Sequence, residues 1–113
     1  MAARQADGWN GWGLSPERFA PQARLLADES GGRAEATWGG IVLLGEDEPE
    51  AEKLLAERGA AGVLGELAFC GGPDRFAEHL RSLAAAGATW AIVSFAGPPG
   101  RRELLAERVL PAL

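Results

Sequence analysis

The sequence has one cysteine, one histidine and no tyrosine in 113 residues. A single cysteine excludes an internal disulfide and suits a reducing compartment. One cysteine and one histidine also exclude the paired ligand spacings of a structural zinc site. No window approaches the roughly 18 uncharged apolar residues that a membrane-spanning helix needs. The start, Met1-Ala2-Ala3-Arg4-Gln5-Ala6-Asp7, lacks the apolar stretch of a secretory signal. The expected location is therefore the cytoplasm. Basic residues are in deficit, 11 Lys and Arg against 16 Asp and Glu, for a net charge of −5. That balance argues against non-specific binding to nucleic acid or to an anionic membrane surface. No Walker loop, dinucleotide fingerprint or Ser/His/Asp arrangement is present.

What is abundant is glycine, with 16 residues, and tryptophan, with 4. Three of the tryptophans, Trp9, Trp12 and Trp38, fall in the first 38 residues. Large aromatics crowded there are expected to face a pocket or a neighbour.

The clearest stretch is 71–95. Gly71-Gly72-Pro73-Asp74 opens a helix, with proline and a carboxylate in the first turn. Phe76, Leu80, Leu83 and Ala84 form its apolar stripe, and Gly87 suits the C-cap. Trp90-Ala91-Ile92-Val93 then runs apolar without alternation, which predicts a strand buried on both faces. Upstream, Ala2 to Ala6 read as the end of a helix. Gly8-Trp9-Asn10 reads as a very short strand, and Gly11-Trp12-Gly13 as a loop. Ser15-Pro16-Glu17 is a helix start with a serine N-cap. Phe19, Ala23 and Leu26 are its apolar stripe. Pro21 predicts a kink or a restart, because it removes a hydrogen bond and crowds the preceding turn. Ser30-Gly31-Gly32 ends this helix. A second strand covers 37–45, with Gly39-Gly40 weakening its start and marking close approach of another backbone or a ligand. Asp47 and Glu50 form a capping-box pattern for a helix through Arg58. Residues 59–65 read as a loop and 66–70 as a weak strand. Gly97-Pro98-Pro99-Gly100 is a turn, and 101–110 a last helix stopped by Pro111. The recurring βα alternation predicts an α/β fold with parallel strands.

Few residues offer chemistry. The run Glu46, Asp47, Glu48, Glu50, Glu52 reads as a solvated, dipole-matched helix start. The backbone donors of Gly71 and Gly72 are placed to hold an anion, or simply to form a βα turn. Cys70 lies at a strand end, and a nucleophilic cysteine needs a base. His79 falls with Arg75, Glu78 and Ser82 on the polar face of its helix, so a solvated histidine and an inert thiol are the expectation.

Taken in order, several segments resemble one family. They are Ala6-Asp7-Gly8-Trp9-Asn10, the Ser-Pro-Glu helix start, the apolar strand ending Gly45-Glu46-Asp47-Glu48, Gly71-Gly72-Pro73-Asp74-Arg75-Phe76 and Ala84-Ala85-Ala86-Gly87-Ala88-Thr89-Trp90. The chain resembles the C-terminal part of the luciferase-like monooxygenases, flavin- or deazaflavin-dependent oxidoreductases built as TIM barrels. The resemblance covers nearly all of 1–113, as one partial barrel domain. It implies about three consecutive βα units, the C-terminal portion of a (β/α)8 barrel that in full needs roughly 250 residues. By position it also implies that Trp9, Asn10 and Trp12 border a small-molecule substrate pocket; packing in the core is the alternative for both tryptophans. Two departures stand out. Gly72 replaces the threonine or serine that caps the family's helix, at a cost of roughly a few tenths of a kcal/mol. The family's glycine-rich stretch for the cofactor phosphate does not occur here.

The expectation is a fragment of a flavin- or deazaflavin-dependent oxidoreductase, inactive alone. Its cofactor, FMN or a deazaflavin coenzyme, would be bound by longer relatives. The rival is a non-enzymatic α/β module that forms a homo-oligomer or docks on a partner through Trp9, Trp12 and Trp38. A third possibility is a piece that completes a barrel with a complementing N-terminal part.

Overall fold

A computed structural model describes residues 8–58 and 67–113. The proposed helix end at 2–6, the loop at 59–65 and Glu66 lie outside the described residues. The first strand, β1 (Gly8–Trp12), leads into helix α1 (Pro16–Ser30) and strand β2 (Glu35–Leu44). Helix α2 (Glu48–Arg58), strand β3 (Phe69–Gly71), helix α3 (Pro73–Ala85) and strand β4 (Ala88–Ala96) follow. A short α4 (Arg101–Leu104) passes into a π-turn over Leu105–Val109 and a 3-10 turn over Leu110–Ala112.

All the strand pairings are parallel, and β2 is the centre of the sheet. On one side β1 pairs with its first half, Gly8 to Trp12 against Glu35 to Gly39. Beyond β1 on that same side, β3 pairs with Val42 to Leu44. On the other side β4 runs along Ala36 to Leu43, with an irregularity at Thr89. The three long strands therefore lie in the order β1, β2, β4, and β3 is a short addition at the far end. The α/β reading with parallel βα units holds.

Local chemistry explains the helices. Ser15 caps α1, its Oγ accepting from the Arg18 N–H at 3.3 Å. Gly31 ends α1 in the left-handed region at φ 67°. Helix α1 runs on through Pro21, so the restart alternative does not occur. Pro21 and Glu17 are both exposed, so the Glu17 carbonyl that loses its partner is left on the wetted side. At α2, Asp47 Oδ1 accepts from the Glu50 N–H at 2.8 Å, as the capping pattern predicts. Glu50 returns to the Glu46 N–H at 2.9 Å, one residue before the box position.

The core lies between one face of the sheet and helices α1 and α3. Phe19, Ala23 and Leu26 of α1 and Phe76, Ala77 and Leu83 of α3 bury against Ala36, Trp38, Val42 and Leu44 of β2. Trp38 is fully buried, its indole N–H donating to the Leu14 carbonyl at 2.7 Å. Trp9 packs on Phe19 with ring centres 5.2 Å apart. Trp38 is thus core, which removes it from the interface expected of a docking module.

Three further expectations are corrected. Gly11 and Trp12 belong to strand β1, because pairing with β2 continues to Gly39 and the turn comes only at Gly13, φ 72°. Strand β4 is an edge strand, with Trp90 65% and Ile92 55% exposed. An apolar run without alternation fits a doubly covered strand, but here no helix or strand covers the second face among the described residues. The C-terminal helix does not stop at Pro111, which sits inside the closing 3-10 turn.

Candidate functional site

Cα partners in a parallel ladder carry their side chains on the same face. The register therefore puts Asn10, Trp12, Thr37, Gly39, Ile41, Trp90, Ile92 and Ser94 together on the face away from α1 and α3. Two rows cross it, Asn10–Thr37–Trp90 and Trp12–Gly39–Ile92. In the first, Asn10 Nδ2 donates to Thr37 Oγ1 at 2.9 Å, and Thr37 Oγ1 donates to the Trp9 carbonyl at 3.3 Å. In the second, the Trp12 ring lies directly on the Gly39 backbone. A Cβ at Gly39 would fall 2.6 Å from Trp12 Cε3 and 3.3 Å from Asn10 Oδ1. A close approach does occur at Gly39-Gly40, but side chains make it, not the backbone or ligand expected. Gly40 abuts Ala68 and Trp38 on the other face.

The face is apolar with one polar centre. It offers a flat indole, an aliphatic wall at Ile92 and the Asn10–Thr37 pair. Of the site residues suggested by sequence, Asn10 and Trp12 meet here, and Trp9 points to the core. Thr37, Trp90 and Ile92 were missed, and Gly39 was marked as a close approach without being placed at the site. The apolar run of β4 shows no alternation, so nothing in the sequence separated Trp90 and Ile92 from their neighbours; strand register alone places them here.

A second cluster lies at the C-terminal ends of β2 and β3. Glu48 accepts from the Gly72 N–H at the start of α3 and from Arg75 Nη1 at 2.7 Å. These contacts hold the Glu48 carboxyl below its ordinary range, the Arg75 hydrogen bond first and the Gly72 N–H second. The chain's own carboxylate thus engages the Gly72 donor proposed for an anion. Arg101 Nη1 donates to the Leu44 carbonyl at 3.1 Å and to Glu50 Oε1 at 3.0 Å. These contacts tie α4 to the end of β2.

Cys70 and His79 do not form a pair. The Cys70 thiol contacts the Ala51 carbonyl at 3.6 Å, and burial pushes its pKa up, away from a thiolate. His79 is not solvated as expected. Its ring lies 5.4 Å from Trp38, 5.1 Å from Phe69 and 6.1 Å from Phe76. Among the described residues its Nε2 is buried without a partner, and burial lowers its pKa. Helical periodicity put His79 beside Arg75 and Ser82; β3 then covered that side of α3 with Phe69.

No family model matches the chain, and no curated protein matches it in sequence. The fold has a counterpart in the solved structure of coenzyme F420 dependent tetrahydromethanopterin reductase from Methanopyrus kandleri, with a TM-score of 0.69 and 19% identity. The match covers 97% of this chain and 46% of that one, so this chain spans about half the length of its structural neighbour. The fold is that of a partial TIM barrel. In such barrels the face away from the helices lines the interior, and ligands bind at the C-terminal ends of the strands. Trp12 stands at that end of β1. Among the described residues, no helix is long and apolar enough to cross a membrane.

Proposed function

We propose that this chain is the C-terminal part of a luciferase-like, deazaflavin-dependent oxidoreductase. The observation that carries the reading is the fold match over 97% of the chain to a coenzyme F420 dependent reductase. The motif order of the sequence, from Asp7-Gly8-Trp9-Asn10 to Ala86-Gly87, supports it independently. A deazaflavin or flavin supplies hydride transfer, and the protein supplies position and polarity.

The residues present fit one portion of such a coenzyme. Trp12, seated on Gly39, and Ile92 make a flat apolar wall for a tricyclic ring, and Asn10 offers an amide at its edge. Among the described residues nothing on this face matches the phosphorylated tail: β1 and β4 carry no charged residue, and β2 carries only Glu35. Arg101, whose side chain lies at the end of β2, is already engaged by Glu50 and the Leu44 carbonyl. This chain therefore shapes and dries one side of the pocket, and the phosphate must be held elsewhere. A small-molecule substrate would meet the coenzyme beside Trp12 and Asn10. By itself the chain is expected to be inactive.

The test is a chimera in which these 113 residues replace the matched part of the Methanopyrus reductase. Titration with coenzyme F420, followed by fluorescence, is expected to show saturable binding by the chimera and none by the 113-residue chain. A chimera that melts cooperatively yet fails to bind overturns the reading.

A further inference from the structure

We propose that Thr37 locks the Asn10 amide with its Oδ1 turned to the ligand, and that the ring lying against Trp12 presents an N–H donor to it, as a lactam does. Thr37 is then a positioning residue, and Asn10 the residue that reads the ring edge. The inference rests on the coenzyme reading and deepens it at one side chain.

One proton decides the orientation. A threonine hydroxyl has a single hydrogen to give. Thr37 Oγ1 gives it to the Trp9 carbonyl at 3.3 Å. Towards Asn10, 2.9 Å away, the same oxygen can only accept, so the Asn10 atom facing it is Nδ2. Were the amide turned over, Oδ1 would face Thr37 Oγ1 with no hydrogen between them. The network therefore sets which end of the amide points out.

Thr37 is itself well held. It is half-buried in β2, which is paired on both sides, and Trp90 stands beside it in the same row. Its branched Cβ restricts the rotation that would carry the hydroxyl away.

The exposed oxygen lies where a ring would meet it. A Cβ at Gly39 would fall 3.3 Å from Asn10 Oδ1 and 2.6 Å from Trp12 Cε3, so the oxygen and the indole meet over one glycine. Gly39 is two residues closer than Thr37 to the C-terminal end of β2, the end at which barrel ligands bind. Among the described residues no donor reaches Oδ1. A ring N–H set there gains a bond. A ring carbonyl or carboxylate set there meets oxygen with oxygen. A site built around one such bond rejects a ring that cannot make it.

Two measurements test the proposal. Asn10 is the only asparagine in the chain, so its side-chain amide is read without ambiguity by NMR. On the 113-residue chain, nitrogen relaxation of Nδ2 is expected to show an ordered group, and to do so again in Thr37→Ser. In Thr37→Val, which keeps the branched shape and removes the hydroxyl, the amide is expected to become mobile. A mobile amide in the native chain, or one indifferent to Thr37→Val, overturns the lock.

The second measurement uses the chimera and two probe rings, lumiflavin and lumiflavin methylated at its lactam nitrogen. Methylation is expected to weaken binding by at least about 10-fold, because it leaves Oδ1 without its donor. Asn10→Leu is expected to erase that difference, and Thr37→Val to shrink it, with rescue by Thr37→Ser. Equal binding of the two rings to the unmutated chimera overturns the acceptor assignment and leaves the coenzyme reading standing. A folded chimera that binds neither ring nor coenzyme F420 overturns both, and the lock is then decided by the relaxation data alone.

Discussion

Trp12 and Trp38 sit one row apart in the β1–β2 ladder and face opposite ways, one onto open sheet and one into the core. The glycines between them decide how tightly each is held. Gly39 lies under the Trp12 ring, and a Cβ there meets an indole that is free to swing outward. Gly39→Ala is expected to cost less than about 1 kcal/mol but to displace Trp12, read as a red shift in tryptophan emission. Gly40→Ala meets Ala68 Cβ at 2.5 Å and Trp38 Cζ2 at 2.8 Å, both held in place. It is expected to cost about 1–3 kcal/mol in a denaturant melt, as overpacking does. His79 gives the pH dependence. Its pKa is lowered from 6.5 by burial, with Glu17 opposing and Arg75 assisting. The unfolded chain therefore binds more protons below about pH 6.5, and stability falls as pH drops through that value towards the lower folded pKa. Above it the contribution is complete. His79→Phe keeps a ring among Trp38, Phe69 and Phe76 and removes the orphaned Nε2. The melting temperature of His79→Phe is expected to lose the wild-type drop between about pH 7 and 5.

Among the elements, α3 shows how a missing cap is replaced from a distance. Gly72 has no side chain to accept the first N–H groups of the helix. Glu48, at the start of α2, brings its carboxylate to Gly72 and pairs with Arg75. The pair is largely solvated, with the Arg75 side chain 60% and the Glu48 side chain 42% exposed. Glu48→Gln is therefore expected to cost no more than about 1 kcal/mol. Its effect is directional in pH. The lowered carboxyl stabilises the fold above its ordinary pKa of 4.5 and loses that contribution as pH falls through the lowered value. The variant is expected to lack this part of the acid limb, measured by urea midpoints at pH 7 and pH 3. The sequence showed the helix start at Pro73 and Asp74, because proline and acid placement are local. It could not show Glu48, 24 residues away, because that contact depends on β2 and β3 pairing. Pro21 and β4 make the same point: propensity flagged both, and tertiary context decided both. Pro21 lies on the wet side of α1, and β4 became an edge.

At the scale of the whole molecule, the sheet is covered on one side only among the described residues. Helices α1 and α3 supply that cover, and the strands behind it carry almost no charge. The coenzyme reading concerns the open side, and a chimera that binds F420 supports it.

The sequence by itself determined the α/β alternation, the helix starts at Ser15 and Asp47, the αL ending at Gly31 and the tight approach at Gly39. These rest on dihedral preference, capping and the lack of a Cβ, which act within a few residues. Tertiary structure alone decided which tryptophan is buried, that His79 is enclosed by rings and that Asn10, Trp12, Thr37, Trp90 and Ile92 share a face. Strand register sets all three, and register depends on pairing between residues tens of positions apart. A shift of one residue would turn every one of those side chains to the other face.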